Sequence, residues 1–520
     1  MSSIATPTPT APDGAGPHFS ASAIVGYIAV AKLLLHLLTA SRYGPFRDEM
    51  YYVACSEHLG AGYVDHPPLI AFVTWLARHA FGESLFALRL LPAAAGAALV
   101  WLTGKLAGEM GGGRFAQVMA ALAVFFTPMY LILQHWMTMN AFEPLIWTGC
   151  AWLVVRAVNT QDPRFCLPFG ILAGVGLENK YSIAFLVAGI VVGLLLTPAR
   201  RFIVSQWFWL GVVSAIAIFA PNLVWLIRHD FPFFELMHNV RMSGRDVMRP
   251  PLAFIADQAM VNNPLLFPLW VGGLFWLLAD PRGKRYRVLG IAFLFVFTAL
   301  MLLKGKNYYV SPVYAMMFAA GSVALEAVTE IRWKTLRTVY AAATVVFSLL
   351  TMPLVVPILP VESFVRYQHA LSYQAPQSEH QRNGVLPQYF ADEFGWENMA
   401  RVTAAAYYCL PPADRAKAVI FANNYGDAAA IDYYGPSLGL PKAICPHQSY
   451  WLWGPRNATG DVVLVLGSDG KGDREHFETV EAAGRVENPY SRLDEHFTLW
   501  LCRGLKFDVR EKWASIKQWN

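Results

Sequence analysis

Charge is scarce in this sequence. Asp, Glu, Lys and Arg supply 15% of its 520 residues, against about 25% in a soluble globular chain. The shortfall falls in the first two thirds, where long apolar runs alternate with short polar breaks. That pattern excludes an ordinary water-soluble core for the region. Cysteine is sparse too. Cys55, Cys150, Cys166, Cys409, Cys445 and Cys502 include no pair at C-x-x-C spacing, so zinc and dithiol redox chemistry lack a motif. A disulfide among the last three stays open, because a pairing cannot be read from spacing. No dense Lys/Arg tract suggests nucleic acid, and the net charge of +5 fits basic loops that orient a membrane protein. No repeat of the 20–50-residue kind is visible. Residues 1–18 are rich in Ser, Thr, Pro, Ala and Gly without a basic n-region or clear cleavage site, which predicts a disordered tail and a retained first helix.

What is present is a series of apolar runs. A helix needs about 20 mainly apolar residues to cross the hydrocarbon core, and inside lipid the backbone must satisfy its own hydrogen bonds. The runs predict about eleven spanning helices, at roughly 20–40, 86–108, 114–134, 140–158, 164–178, 181–198, 204–227, 263–279, 286–303, 308–326 and 335–358. Leu69 to Phe81 is apolar but too short to span, and reads as an interfacial or re-entrant helix. After about residue 360 the composition changes. Ala418–Ala422 and Asp461–Leu466 read as strands, the stretch from Phe394 to Tyr408 as a helix, and Gly435-Pro436 and Gly454-Pro455 as turns. The expected fold is mainly α: a tail (1–18), a polytopic membrane helix bundle (19–360) and a small soluble α/β domain (361–520).

Basic residues in short loops set orientation. With the N-terminus inside, every inner loop holds Lys or Arg, and eleven crossings put the C-terminal domain outside, in an extracytoplasmic position at the inner membrane. The outer loops then collect the unusual polar residues. The first holds Arg47-Asp48-Glu49-Met50-Tyr51-Tyr52 and Asp65-His66-Pro67-Pro68; the second His135, Asn140 and Glu143; the third Lys180; the fourth Arg241, Arg245 and Arg249; the fifth Lys304-Gly305-Lys306-Asn307-Tyr308-Tyr309. Ionisable residues at membrane depth are expensive and usually functional.

Acids, cations and aromatics gathered at one leaflet suit transfer of a sugar carried on a lipid phosphate. Cations hold the phosphate and stabilise the charge it gains on leaving. A phosphate leaves without a general acid, so the remaining need is a carboxylate that takes a proton from the incoming hydroxyl. One carboxylate and several cations suffice for inverting transfer, and this chemistry requires no cofactor or bound metal. Simpler readings stand beside each motif. Asp48-Glu49 also fits an interfacial helix cap; Lys304 and Lys306 fit snorkelling anchors; His66 fits a turn residue; Arg245 fits a pair with Asp246. Asn457-Ala458-Thr459 matches a glycosylation sequon, a short pattern that chance produces often.

The order Arg47-Asp48-Glu49-Met-Tyr-Tyr, Asp65-His66-Pro67-Pro68-Leu69 and Lys304-Gly-Lys-Asn-Tyr-Tyr-Val-Ser-Pro312 resembles the C-type membrane glycosyltransferases, closest to family 39 and related transferases. These include protein O-mannosyltransferases and the lipid A aminoarabinose transferase. The resemblance covers roughly residues 20–330. It implies a polyprenyl-phosphate sugar donor, an extracytoplasmic site and inversion. By matching position it makes Asp48 the catalytic carboxylate and Glu49 its neighbour, with His66, Glu143, Lys180, Arg245, Lys304, Lys306, Tyr308 and Tyr309 as donor or substrate contacts. The sequence departs from the pattern at His66, where many relatives carry Lys, and in the second outer loop, where Asn140 and Glu143 replace an Asp. The implied partners are membrane lipids and a glycan, lipid or protein acceptor. The tail, with Phe421-Ala-Asn-Asn-Tyr-Gly426 and Tyr450-Trp-Leu-Trp-Gly-Pro455, looks like that of bacterial members and unlike eukaryotic sugar-binding modules. Two other readings are a lipid or glycolipid transporter and a catalytically dead glycolipid-binding relative. Transporters place binding groups near the midplane, often in inverted repeats. Here the helix centres carry almost no charge, and Asp48, Glu49, Lys304 and Lys306 are intact.

Overall fold

The computed structural model describes residues 20–244, 247–375, 379–380, 382 and 384–520. The predicted tail and the Arg245–Asp246 pair lie outside the described residues. Every predicted apolar run forms helix: α1 (Ala21–Thr39), α2 (Arg47–Ser56), α3 (Leu69–Phe81), α4 (Leu85–Glu109), α5 (Arg114–Phe125), α6 (Pro128–Leu133), α7 (Met139–Thr160), α8 (Cys166–Asn179), α9 (Ile183–Leu195), α10 (Gln206–Arg228), α11 (Pro232–Ser243), α12 (Pro251–Val261), α13 (Phe267–Leu278), α14 (Arg287–Leu302), α15 (Tyr314–Thr329) and α16 (Lys334–Thr351). Among the described residues seven helices are long and apolar enough to cross a membrane, and eight if the bent pair of Pro251–Val261 with Pro264–Leu278 counts as one span. The chain is a multi-pass membrane protein. Its helices pack where side chains are small: a Cβ at Gly170 in α8 would lie 2.1 Å from the carbonyl oxygen of Gly211 in α10.

The predicted spans 164–178 and 181–198 are the short helices Cys166–Asn179 and Ile183–Leu195, of 14 and 13 residues, and two further predicted spans, 114–134 and 263–279, meet a helix break at a proline. The run 114–134 is broken between α5 and α6, where Thr127 is extended (φ −71°, ψ 117°) and Pro128 opens α6. The residue before a proline is pushed out of the helical region, and the proline starts a new helix. The run 263–279 is the second arm of the bent pair, which turns by 103°. There Asn263 has φ +78° and Pro264 follows. Polar backbone freed by such breaks is tolerated at membrane depth where it is buried in protein or lines a cavity. The breaks have side-chain partners: Asn263 Oδ1 accepts from Leu265 N–H at 3.0 Å and its amide donates to Ser348 Oγ at 2.8 Å.

The C-terminal segment folds as an α/β unit with a four-stranded sheet, order β1 (Ala418–Ala422), β2 (Val462–Leu466), β4 (Phe497–Leu505), β3 (Phe477–Val486). β1 and β2 are parallel; the other pairs are antiparallel. The fully buried run Val462–Leu466 is one of the two central strands. The unit sits on α2 and the loop after it. Its helix Tyr425–Tyr434 packs against α2 within one apolar cluster that also holds Tyr51, Ile70 and Met137. Arg47 N–H donates to the Asp392 carbonyl at 3.1 Å, and Val64 N–H to Ser449 Oγ at 3.2 Å. All six cysteines are unpaired.

Candidate active site

A cavity of about 510 Å³ lies between the helix breaks and the C-terminal unit. Its polar end is formed by Arg47, Asp48, Asn140, Lys306, Tyr308 and Asp392. Its other walls are mainly apolar, with Met129, Ile132 and Leu133 of α6, Met260 and Val261 at the bend, and Phe347 of α16, though Asn263, Thr351 and Gln388 also line them. Both proline breaks therefore line it.

Asp48 stands in the first turn of α2 with 30% of its side chain exposed. Tyr425, from the C-terminal unit, donates its hydroxyl to Asp48 Oδ1 at 2.8 Å. Arg47 Nε lies 3.8 Å from the same oxygen, and its guanidinium is 5.3 Å from the Tyr425 ring centre. Oδ2 takes no hydrogen bond among the described residues. Burial raises the carboxyl above its ordinary value, against the pull of Arg47 and the Tyr425 hydrogen bond. That moves it toward what a general base needs.

Glu49 is placed differently. Its Oε2 accepts from Phe46 N–H at 2.8 Å, so it caps α2. It also takes Arg89 Nη2 at 2.7 Å and Met137 N–H at 2.8 Å, and it is buried. Arg89 in turn reaches Glu393 at 3.1 Å and the carbonyls of Ala40 and Gly44. Of the adjacent acids, Glu49 ties α2 to α4 and to the C-terminal unit, while Asp48 faces the cavity. Burial pushes the Glu393 carboxyl up to about 8, against Arg89 and reinforced by Glu49, so one of the two acids around this arginine keeps its proton at neutral pH.

The remaining residues divide into groups. Lys306 lines the cavity and pairs with Glu379 at 2.6 Å. Its loop is pinned by Gln258, whose amide donates to the Asn307 carbonyl at 3.0 Å. Tyr308 lines the cavity and meets Tyr309 edge-on at 4.8 Å. Lys180 sits 4.7 Å over the Tyr309 ring, pairs with Glu143 at 3.0 Å and donates to Asn140 at 2.7 Å. Glu143 also accepts from Ser182. That cluster adjoins the cavity through Asn140. His66 is fully buried in an aromatic cage, stacked on Tyr63 at 4.6 Å with Nδ1 2.8 Å from the Pro67 carbonyl. Lys304 is exposed, holds a left-handed φ of +56° and does not line the cavity. Arg245 lies outside the described residues. Sequence reasoning did not find Arg89, Tyr425, Glu379 or Asp392. Arg89 carried a signal, a charge one turn into an apolar run; the others become visible only in three dimensions.

Three comparisons bear on these observations. Residues 65–225 match the family described as dolichyl-phosphate-mannose-protein mannosyltransferase. The chain is similar to lipid A galacturonosyltransferase RgtD of Rhizobium johnstonii, 26% identical over 327 residues, which is 59% of this chain and 66% of that protein. In fold it is similar to the crystal structure of ArnT from Cupriavidus metallidurans bound to undecaprenyl phosphate, with a TM-score of 0.60 and 14% identity over 93% of this chain and 98% of that one. The apo form of ArnT gives 0.58, over 92% and 97%. A broken-helix bundle with a docked α/β unit over an amphipathic cavity is thus the fold this chain shares with ArnT. In sequence over part of its length, and in overall fold, the chain is similar to lipid-linked sugar transferases of the family 39-like kind.

Proposed function

We propose that this protein moves a sugar from a polyprenyl-phosphate donor to a hydroxyl of an envelope acceptor, with inversion, on the extracytoplasmic face of the inner membrane. The observation that carries the reading is a cavity with Asp48 and Lys306 at its polar end and mainly apolar walls leading away from them. A lipid phosphate has that same division of character. In this reading the prenyl chain lies along α6 and α16, and its phosphate displaces Glu379 from Lys306. The acceptor hydroxyl approaches Asp48 Oδ2 from the side opposite the leaving phosphate. Asp48 takes the proton, the new glycosidic bond forms at the anomeric carbon, and the C–O bond to phosphate breaks. Lys306 compensates the charge that develops there, a role that asks for no metal. The Lys180–Glu143 pair orients Asn140 toward the sugar. The undecaprenyl phosphate in the ArnT crystal and the lipid A acceptor named for RgtD support a lipid-linked donor and an envelope lipid acceptor.

The test is transfer from a synthetic undecaprenyl-phosphate sugar by purified protein in lipid. Lys306→Ala removes one charge-assisted contact, worth about 1.5–3 kcal/mol when desolvated. Catalytic efficiency should fall by roughly ten- to a hundredfold. Because charge builds on the phosphate as it leaves, the loss should appear in turnover as well as in donor KM. Full activity at low donor concentration would reduce Lys306 to an interfacial anchor.

A further inference from the structure

The C-terminal unit reaches the reacting region with one side chain that touches Asp48 directly. Tyr425 stands in the first turn of the helix Tyr425–Tyr434. Its hydroxyl donates to Asp48 Oδ1 and its ring lies under Arg47. The next residue leaves no spare room, since a Cβ at Gly426 would come within 2.8 Å of Arg47 Cδ. Arg47 is held from the same unit through its backbone bond to Asp392. We infer that Tyr425 is a positioning residue: by fixing Oδ1 it turns Oδ2 toward the cavity, so the C-terminal unit completes the catalytic centre. This rests on Asp48 being the base.

The geometry makes the role specific. A carboxylate at the start of a helix can rotate about its last bond, and only one of its oxygens can face an incoming hydroxyl at a time. Asp48 is faced by Arg47 and Tyr52 from its own helix, by Asp65 from the next loop, by Tyr308 and the Lys306–Glu379 pair across the cavity, and by Asp392 and Tyr425 from the C-terminal unit. Among the described residues Tyr425 alone donates a hydrogen bond to it. That bond favours the ionised form, and removing it raises the carboxyl further. A base works only when deprotonated, so the acid limb of the pH–rate profile should move up.

The experiment compares full-length wild type, Tyr425→Phe and Asp48→Asn in lipid. Phenylalanine keeps the ring beneath Arg47 and loses only the hydroxyl. Tyr425→Phe should keep the wild-type melting temperature and donor KM. Its kcat should fall by roughly tenfold, and its acid limb should rise by about one pH unit, the size of one hydrogen bond to a charged group. A second variant, Gly426→Ala, moves Arg47 without touching the hydroxyl, and should shift the limb in the same direction because the cation leaves Oδ1. An unshifted limb and full kcat in Tyr425→Phe, with Asp48→Asn inactive, overturns the positioning role and leaves the base in place. Full turnover in Asp48→Asn overturns both.

Discussion

Asp48→Asn is expected to leave the protein folded and able to bind donor while turnover falls by about 10² to 10⁴-fold, the usual worth of general base catalysis. The substitution nearly preserves shape. Tyr425 can still donate to an amide oxygen at the Oδ1 position, and the ion pair lost, with Arg47, is long at 3.8 Å and partly exposed. What disappears is the ability to hold a proton taken from the acceptor. Binding of a synthetic undecaprenyl-phosphate sugar, measured by fluorescence or calorimetry, should stay within a few-fold of wild type as single-turnover transfer collapses. Near-normal turnover would move the base to another group.

Arg89→Met should have the largest effect on stability. The guanidinium serves two buried acids, Glu49 and Glu393, as well as two carbonyls. Removing one partner of a buried ion pair typically costs about 3–5 kcal/mol, since it strands the opposite charge. The result should be a large drop in melting temperature and loss of monodisperse protein on size exclusion. Arg89→Lys should recover only part, because an ammonium cannot reproduce the planar fork that meets both acids. Arg89→Met combined with Glu49→Gln and Glu393→Gln should be more stable than Arg89→Met alone. A pH signature accompanies this. Glu393 has a folded value near 8, above its unfolded one. Its proton therefore contributes stability that is fully present below the unfolded carboxylate value and lost as pH rises through about 8. Between pH 7 and 9 the wild-type melting temperature should fall more than that of Glu393→Gln; equal slopes would place the titration elsewhere.

Much of the fold was legible because it is local. The short apolar helix is Leu69–Phe81 in both sequence and structure, bounded by Pro67-Pro68 and by Gly82 with φ +93°. The strand Ala418–Ala422 likewise has the same limits, since a short apolar run between polar breaks has little alternative. One apolar run, 114–134, hid two helices because hydropathy averages across Thr127-Pro128, whereas the helix Pro251–Val261 ahead of Asn263-Pro264 lies where the sequence predicts an outer loop; the prolines were visible but their tertiary consequence was not. At the site, Asp48, Lys306 and Tyr308 come to one cavity, whereas Glu49 and His66 are drawn into packing. Adjacent Asp48 and Glu49 look alike in sequence. Only the position of Arg89, forty residues on, separates a cavity-facing acid from a buried cap.

The bond from Tyr425 to Asp48 joins residues 377 positions apart. At roughly 5–20 residues per second, that interval of synthesis lasts on the order of tens of seconds. Through all of it the early helices already sit in the bilayer beside the lipid pool, with their carboxylate unaligned. A contact made last acts as a timer. If Tyr425 positions Asp48 as proposed, the nascent bundle reaches full turnover only once the C-terminal unit has been made and seated.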